Sequence, residues 1–163
     1  MVKSFSFMKK VMTLCLIYKH PKILLAMKKR GFGNGKYNGF GGKVEKGETI
    51  EQNAIREGLE EIGINIKEMK KQGKIKFRFI DKPDILEVHI FKIEAFEGEP
   101  TESEEMKPEW FDVGNIPYDK MWTSDKYWLP IFLQGKNFIG EFLFDEKENV
   151  LKHKLHLVDK IYK

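Results

Sequence analysis

Apolar residues fall along this chain in two patterns, unbroken runs and strict alternation. Residues 11–18 form an unbroken run, as do residues 23–27, and each predicts a strand buried on both faces. Strict alternation follows later. Ile75, Phe77 and Phe79 alternate with Lys74, Lys76 and Arg78, and Leu86, Val88 and Ile90 with Glu87 and His89. The turn-forming residues 81–84, Asp-Lys-Pro-Asp, lie between them, which predicts a long antiparallel hairpin with an apolar and a polar face. Shorter strands are expected at residues 38–44, 109–113, 138–144 and 151–158, and a helix at residues 127–133. Helical periodicity also marks the segment that follows Thr49. Thr49 with Gln52 three positions later has the spacing of a capping box. Strands on both sides of this helix predict an α/β sandwich, a mixed sheet flanked by two helices.

Composition bounds this picture without redirecting it. A chain of 163 residues, 41% hydrophobic and 33% charged, suits one domain with one core. No repeat, low-complexity tract or linker divides it, so residues 11–163 are expected to form a single domain with residues 1–10 as a peripheral extension. Lysines precede the first apolar run, but its eight residues are too short to cross a bilayer and lack a small-residue cleavage site, so a membrane role is not expected. Cys15, the only cysteine, excludes an intramolecular disulfide; within an apolar strand it reads as a small core residue, and the cytoplasm is the expected compartment. A net charge of +4 helps steer a polyanionic small molecule, whereas no concentrated basic tract argues for duplex nucleic acid. A monomer is expected.

The chemistry concentrates in residues 42–64, GKVEKGETIEQNAIREGLEEIGI. At 100° per residue, Glu57, Glu60 and Glu61 occupy a ~100° arc of one helix. Ile55, Gly58, Leu59 and Ile62 lie opposite and are expected to face the core, with Leu59 making up the volume that Gly58 lacks. Three neighbouring carboxylates repel by ~0.2–0.5 kcal/mol per pair. A hard divalent cation with oxygen ligands converts that repulsion into coordination. Upstream, residues 31–35 (Gly-Phe-Gly-Asn-Gly) form a glycine-dense loop that lets backbone approach a ligand closely.

The spacing of Gly42, Glu48, Arg56-Glu57, Glu60-Glu61, Gly63 and Ile64 resembles the box of the Nudix family. From Met12 onward the chain is similar to that family's animal-type oxidised purine nucleoside triphosphatases, or 8-oxo-dGTP diphosphatases. The resemblance runs through MKKRGFGNGKYNGFGGKVEKGETIE, ESEEMKPEWF and MWTSDKYWLP. It implies magnesium-dependent hydrolysis, with manganese as a substitute, of a damaged purine nucleoside triphosphate to monophosphate and pyrophosphate. The metal ligands it implies are the Gly41 carbonyl, Glu57, Glu60, Glu61 and Glu105, with Glu60 alternatively the general base. Arg56 and Glu48 would orient the catalytic carboxylates. For the substrate it implies Asn38 on the purine edge, Thr13 and Lys28 near base and sugar, Phe32, Phe77, Phe79 and Leu86 as walls, and Trp122 stacked on the ring. Phe40, Gly42, Lys43, Thr123, Ser124 and Asp125 complete the implied substrate side.

Three positions depart from the pattern. Gly58 stands where a bulky aliphatic is usual, Tyr37 where tryptophan is usual, and Ser124-Asp125 where two aspartates are usual. With one carboxylate missing, Asp125 is expected to escape like-charge repulsion and to be ionised at neutral pH. Alternatively, Ser124 or Asp125 simply caps the following helix. The alternatives for function are a Nudix hydrolase acting on a methylated or unmodified purine triphosphate, a nucleotide-binding module without catalysis, and, more remotely, mRNA decapping.

Overall fold

The computed structural model describes residues 8–161. Its central layer is a mixed sheet. The strands are β1 (Lys9–Lys19), β2 (Lys22–Lys28), β3 (Tyr37–Asn38), β4 (Asn65–Phe79), β5 (Ile85–Glu97), β6 (Met106–Asp112), β7 (Phe138–Phe144) and β8 (Val150–Leu157). They run in the order β3-β2-β1-β5-β4-β7-β8, with β6 also paired to β2. The β1–β5 and β4–β7 pairs are parallel and the others antiparallel. Helices α1 (Ile50–Ile62) and α2 (Asp125–Leu133) flank it, as the patterning predicts.

β1 explains why its sequence is apolar throughout. Leu14, Leu16 and Tyr18 face the core shared with α2, whereas Cys15 and Ile17 face the core shared with α1. The strand begins two residues before the apolar run: Lys9 and Lys10 pair with Ile85 and Leu86, so part of the segment expected to be peripheral belongs to the sheet. Residues 1–7 lie outside the described residues. The expected hairpin is present, with Phe77 opposite Leu86, and is longer than the alternation indicated because β4 continues back to Asn65 through several register shifts.

Two expectations need correction. The strand over residues 38–44 shrinks to β3 plus isolated bridges from Phe40 to Cys15 and from Lys43 to Met12. Gly41 lies at φ 149°, and a Cβ there would collide with the Thr13 carbonyl, so the loop lies against β1 at a distance only glycine permits. The second correction concerns α1. Its capping box forms as expected, Thr49 Oγ1 accepting from Gln52 N at 3.0 Å and Gln52 Oε1 from Thr49 N at 2.9 Å. Its buried face, however, carries Asn53, Ala54, Gly58, Glu61 and Ile62, while Ile55 and Leu59 are 40% and 62% exposed. Leu59 therefore does not fill for Gly58. A Cβ at position 58 would lie 3.0 Å from Ile66 Cδ1 and 3.2 Å from the Phe40 ring, so those side chains already occupy the volume. The helix is turned toward its carboxylates, and Glu61 faces inward.

Candidate active site

Where β1, a second glycine loop at residues 39–43 (hereafter the glycine loop) and α1 meet, a carboxylate pair sits against backbone. A Cβ on Gly42 would lie 2.7 Å from Glu57 Oε1, so glycine leaves the room that the Glu57 carboxylate takes up. Glu61 is buried, its carboxyl beside that of Glu57 and the backbone of Gly41. Its carboxyl is pushed well above the usual carboxylate range, first by burial and then by its hydrogen bond to Glu57 and the Glu57 charge, with Lys28 working against the shift. Glu61 Oε2 has no hydrogen-bond partner. A buried acid with an orphaned oxygen facing a half-buried one is a poor arrangement for the protein alone. The two suit a hard cation that takes up both negative charges.

Arg56 organises this pair from outside. Its Nε and Nη2 donate to the two oxygens of Glu48 at 2.8 and 3.0 Å, while Nη1 lies 3.1 Å from Glu57 Oε1 and donates to Glu60 Oε2 at 3.0 Å. The fork holds the Glu48 carboxyl down at about 2, with help from the Glu45 N–H and the Asn53 amide. Glu60 is thus on the exposed side, paired to Arg56. Glu105 is turned to Arg30, which donates to it at 2.9 and 2.7 Å, and to Lys28 at 3.8 Å. Neither completes a group of three convergent metal-ligating side chains among the described residues.

Beside the carboxylates opens a largely apolar cavity of about 210 Å³. Thr13, Lys28, Asn38, Gly41, Gly42 and Glu61 line the end nearer α1, and Phe77, Phe79 and Leu86 form a wall. Phe32 covers the mouth: it is 55% exposed, yet its ring lies 5.1 Å from Trp122 and 6.1 Å from Phe79. Trp122 in turn packs 5.6 Å from Phe144, and Lys36 Nζ stands 5.3 Å over its ring. Asn38 Oδ1 accepts from the Gly39 N–H at 2.9 Å, so the turn role read from the Asn-Gly pair and a place in the cavity coexist. Three expected substrate residues stand apart from the cavity lining. Phe40 is buried in the α1 core, Lys43 bridges to Met12 and accepts from Asn53, and Thr123 donates to the Glu148 carbonyl.

Ser124 and Asp125 also line the cavity, both buried. Neither caps α2 through its side chain: Ser124 has helical backbone angles and makes no capping bond. Asp125 Oδ1 accepts from Trp128 Nε1 at 3.1 Å and from Ser124 Oγ at 3.5 Å, while Oδ2 is buried with no partner. Burial pushes its carboxyl up to about 7, against the pull of the Trp128 and Ser124 hydrogen bonds. The ionised form, expected to dominate at neutral pH, therefore shares that range with the protonated one. Desolvation does what a second carboxylate was thought necessary for.

Several lining residues escaped the sequence reading: Met12, Lys36, Val88, Trp128 and Phe144. Some had a signal. Met12 pairs with Val88 and Phe79 with Phe144, so the alternation of the hairpin, carried to its neighbours in register, reaches them. Trp128 follows Asp125 at the i+3 spacing of a helix.

The NUDIX domain model matches residues 8–132. The chain is 50% identical over 153 residues to an oxidized purine nucleoside triphosphate hydrolase from Danio rerio, covering 94% of this chain and 98% of that one. It is 48% identical over 147 residues to the protein of the same name from Mus musculus, covering 90% and 94%. Among solved structures it is similar to a MutT protein from Bacillus halodurans, with a TM-score of 0.80 and 28% identity over 90% of this chain and 97% of that one. With the capped carboxylate helix, the glycine loop beside it and the mixed sheet between two helices, these likenesses make the chain a member of the Nudix family.

Proposed function

We infer that this protein hydrolyses oxidised purine nucleoside triphosphates, of the 8-oxo-dGTP and 2-hydroxy-dATP type, to the monophosphate and pyrophosphate, and so keeps damaged nucleotides out of nucleic-acid synthesis. The observation that carries the reading is the junction of two sites: one apolar, aromatic-walled cavity is lined both by Asp125, whose Oδ2 is buried without a partner, and by Glu61 of the carboxylate pair. Its relatives, about half identical over nearly their whole length, bear the name of that activity. We assign the reaction to the cytoplasm, where nucleoside triphosphates are consumed. No helix of the described residues is long and apolar enough to cross a membrane.

In this reading the base enters the cavity, stacking on Trp122 under Phe32, with Asn38 and Asp125 on its polar edges. A carboxyl that titrates near neutrality is present in both forms at pH 7. Its Oδ2 accepts from a ring N–H when ionised and donates to a ring nitrogen or carbonyl when protonated, which suits the altered edges of oxidised purines. Ser124 contributes a hydroxyl to the same group. Lys28, at the cavity wall, meets the anionic end of the nucleotide. Glu57, Glu61 and the Gly41 carbonyl would hold a divalent cation, magnesium or its substitute manganese. When bound, that cation neutralises charge on the phosphate oxygens and acidifies a bound water. Arg56 keeps Glu57 in place, and Glu48 keeps Arg56 in place. Glu60, on the open side and carried by the same arginine, takes the proton of the attacking water.

A turnover panel tests this: oxidised, methylated and unmodified purine triphosphates, each with magnesium, with release of pyrophosphate as the readout. The expected result is preference for the oxidised purines, by ~10-fold or more in kcat/KM over the normal ones. Preference for a methylated or normal purine transfers the site to another nucleotide, and nucleotide binding without pyrophosphate release makes it a binding module.

A further inference from the structure

Asn53 is 0% exposed on the inward face of α1, in a position that neither core needs to be polar. Every bond it can make to the surrounding structure reaches a different part of the site. Its Oδ1 accepts from the Thr13 hydroxyl on β1, at the cavity wall. Its Nδ2 donates at 2.8 Å to the Lys43 carbonyl, which ends the glycine loop, and at 2.8 Å to Glu48 Oε1, the carboxylate that carries Arg56. One amide therefore links the cavity wall, the loop against which Glu57 rests and the arginine that holds Glu57 and Glu60.

We propose that Asn53 is a positioning residue that fixes the base cavity and the carboxylate pair in one register, so that a base seated in the cavity brings its phosphates to Glu57 and Glu61. The assignment rests on the reading of those two carboxylates as metal holders. Burying an amide is costly unless each of its groups is paired. Here all three are paired, and none serves apolar packing, which alanine or leucine would provide at that position. An aspartate at position 53 keeps the shape and the Thr13 bond but removes both donors and sets a carboxylate against Glu48. The change keeps the volume of the side chain, breaks the bonds to the Lys43 carbonyl and Glu48, and adds a repulsive charge between positions 48 and 53.

The test is Asn53→Asp, with melting temperature, Mn²⁺ binding to the free protein by electron paramagnetic resonance, and steady-state kinetics on 8-oxo-dGTP. The expected result is a folded protein whose Mn²⁺ affinity falls by ~10-fold or more. Its kcat falls by ~30-fold or more with KM changed by less than ~3-fold, because the base still binds while the phosphates are misplaced. A folded Asn53→Asp variant with wild-type Mn²⁺ affinity overturns the proposal. If that variant does not fold, Thr13→Val decides, with Thr13→Ser as the conservative rescue. Thr13→Val exchanges the hydroxyl for a methyl group and so removes the bond to Asn53 together with the long contact from the Gly42 N–H at 3.4 Å. Weakened Mn²⁺ binding in Thr13→Val restored in Thr13→Ser supports the link, and unchanged binding in Thr13→Val overturns it. Should the wild-type protein bind Mn²⁺ and lose it on Asn53→Asp, yet turn over no oxidised purine, the substrate reading fails and the role of Asn53 stands. A wild-type protein that binds no Mn²⁺ removes both.

Discussion

Two buried acids carry the residue-scale argument, and they act in opposite parts of the site. Asp125 is raised from 3.8 to about 7 by burial, so the folded state binds its proton more tightly than the unfolded chain does. The stability this contributes is fully present below pH 4 and is lost as pH rises through 7. Asp125→Asn lacks that dependence. The stability of wild type relative to the variant is expected to fall between pH 4 and 7, by up to ~4 kcal/mol, and to level off above. Urea midpoints at pH 4.5, 6 and 8 check it, and a constant difference would place the proton elsewhere. Glu57→Gln and Glu61→Gln each keep the shape of the pair and remove one charge. Both are expected to lower magnesium-dependent turnover by ~100-fold or more. Glu61→Gln should not lower the melting temperature of the metal-free protein, because a neutral amide replaces a carboxyl that burial already keeps protonated and whose Oε2 has no partner. Glu57→Gln gives up its ion pair with Arg56 and is expected to cost at most ~1 kcal/mol. Thermal melts beside kinetics separate the two effects.

At the scale of elements, α1 is placed by its neighbours as much as by its own periodicity. Gly58 is filled from outside by Phe40 and Ile66, both buried, so the bulky aliphatic usual at this position does not fit here without repacking. Gly58→Leu is expected to lose ~1–3 kcal/mol through overpacking, despite the gain in helix propensity, as measured by chemical denaturation. The glycine loop predicts the contrary combination. The nearest atoms to a methyl on Gly42 are those of the Glu57 carboxylate, the end of a flexible side chain that can swing away from its pairing with Arg56 at little cost to the fold. Gly42→Ala should therefore keep the wild-type melting temperature within a few degrees while Mn²⁺ affinity and turnover drop by ~10-fold or more. Equal stability with equal metal affinity would show that Glu57 holds no metal.

Across the whole molecule, β1 is the divider. One of its faces belongs to the core with α2 and the cavity, the other to the core with α1 and the carboxylates, and Thr13 stands where they meet. Ligand that bridges both halves stabilises the fold as a unit. A non-hydrolysable oxidised purine triphosphate at ~100 times its dissociation constant adds ~2.7 kcal/mol, or a rise in melting temperature of about 5–10 °C for a domain of this size. The rise should need magnesium for the triphosphate and should not need it for the monophosphate, which reaches the cavity but leaves the carboxylates unbridged. A magnesium-independent shift for both would separate the cavity from the metal site.

Much of this was legible in the chain because it depends on short-range order. The capping box, the glycine-dense loop at residues 31–35, the spacing of Glu57, Glu60 and Glu61 and the alternation of the hairpin are written within a few residues of one another, where backbone geometry alone dictates which side chains share a face. The rotation of α1 was not legible, because apolar residues at 55 and 59 look like a core face until the sheet and Phe40 take the other side. Nor was the state of Asp125: its desolvation comes from β-strands and an aromatic wall distant in sequence, and no local pattern reports a dielectric environment. Asn53 was unremarkable in the helix for the same reason. Its partners, Thr13, Lys43 and Glu48, converge only when β1, the loop and α1 pack, so the residue types were set by sequence and their joint meaning by the tertiary structure.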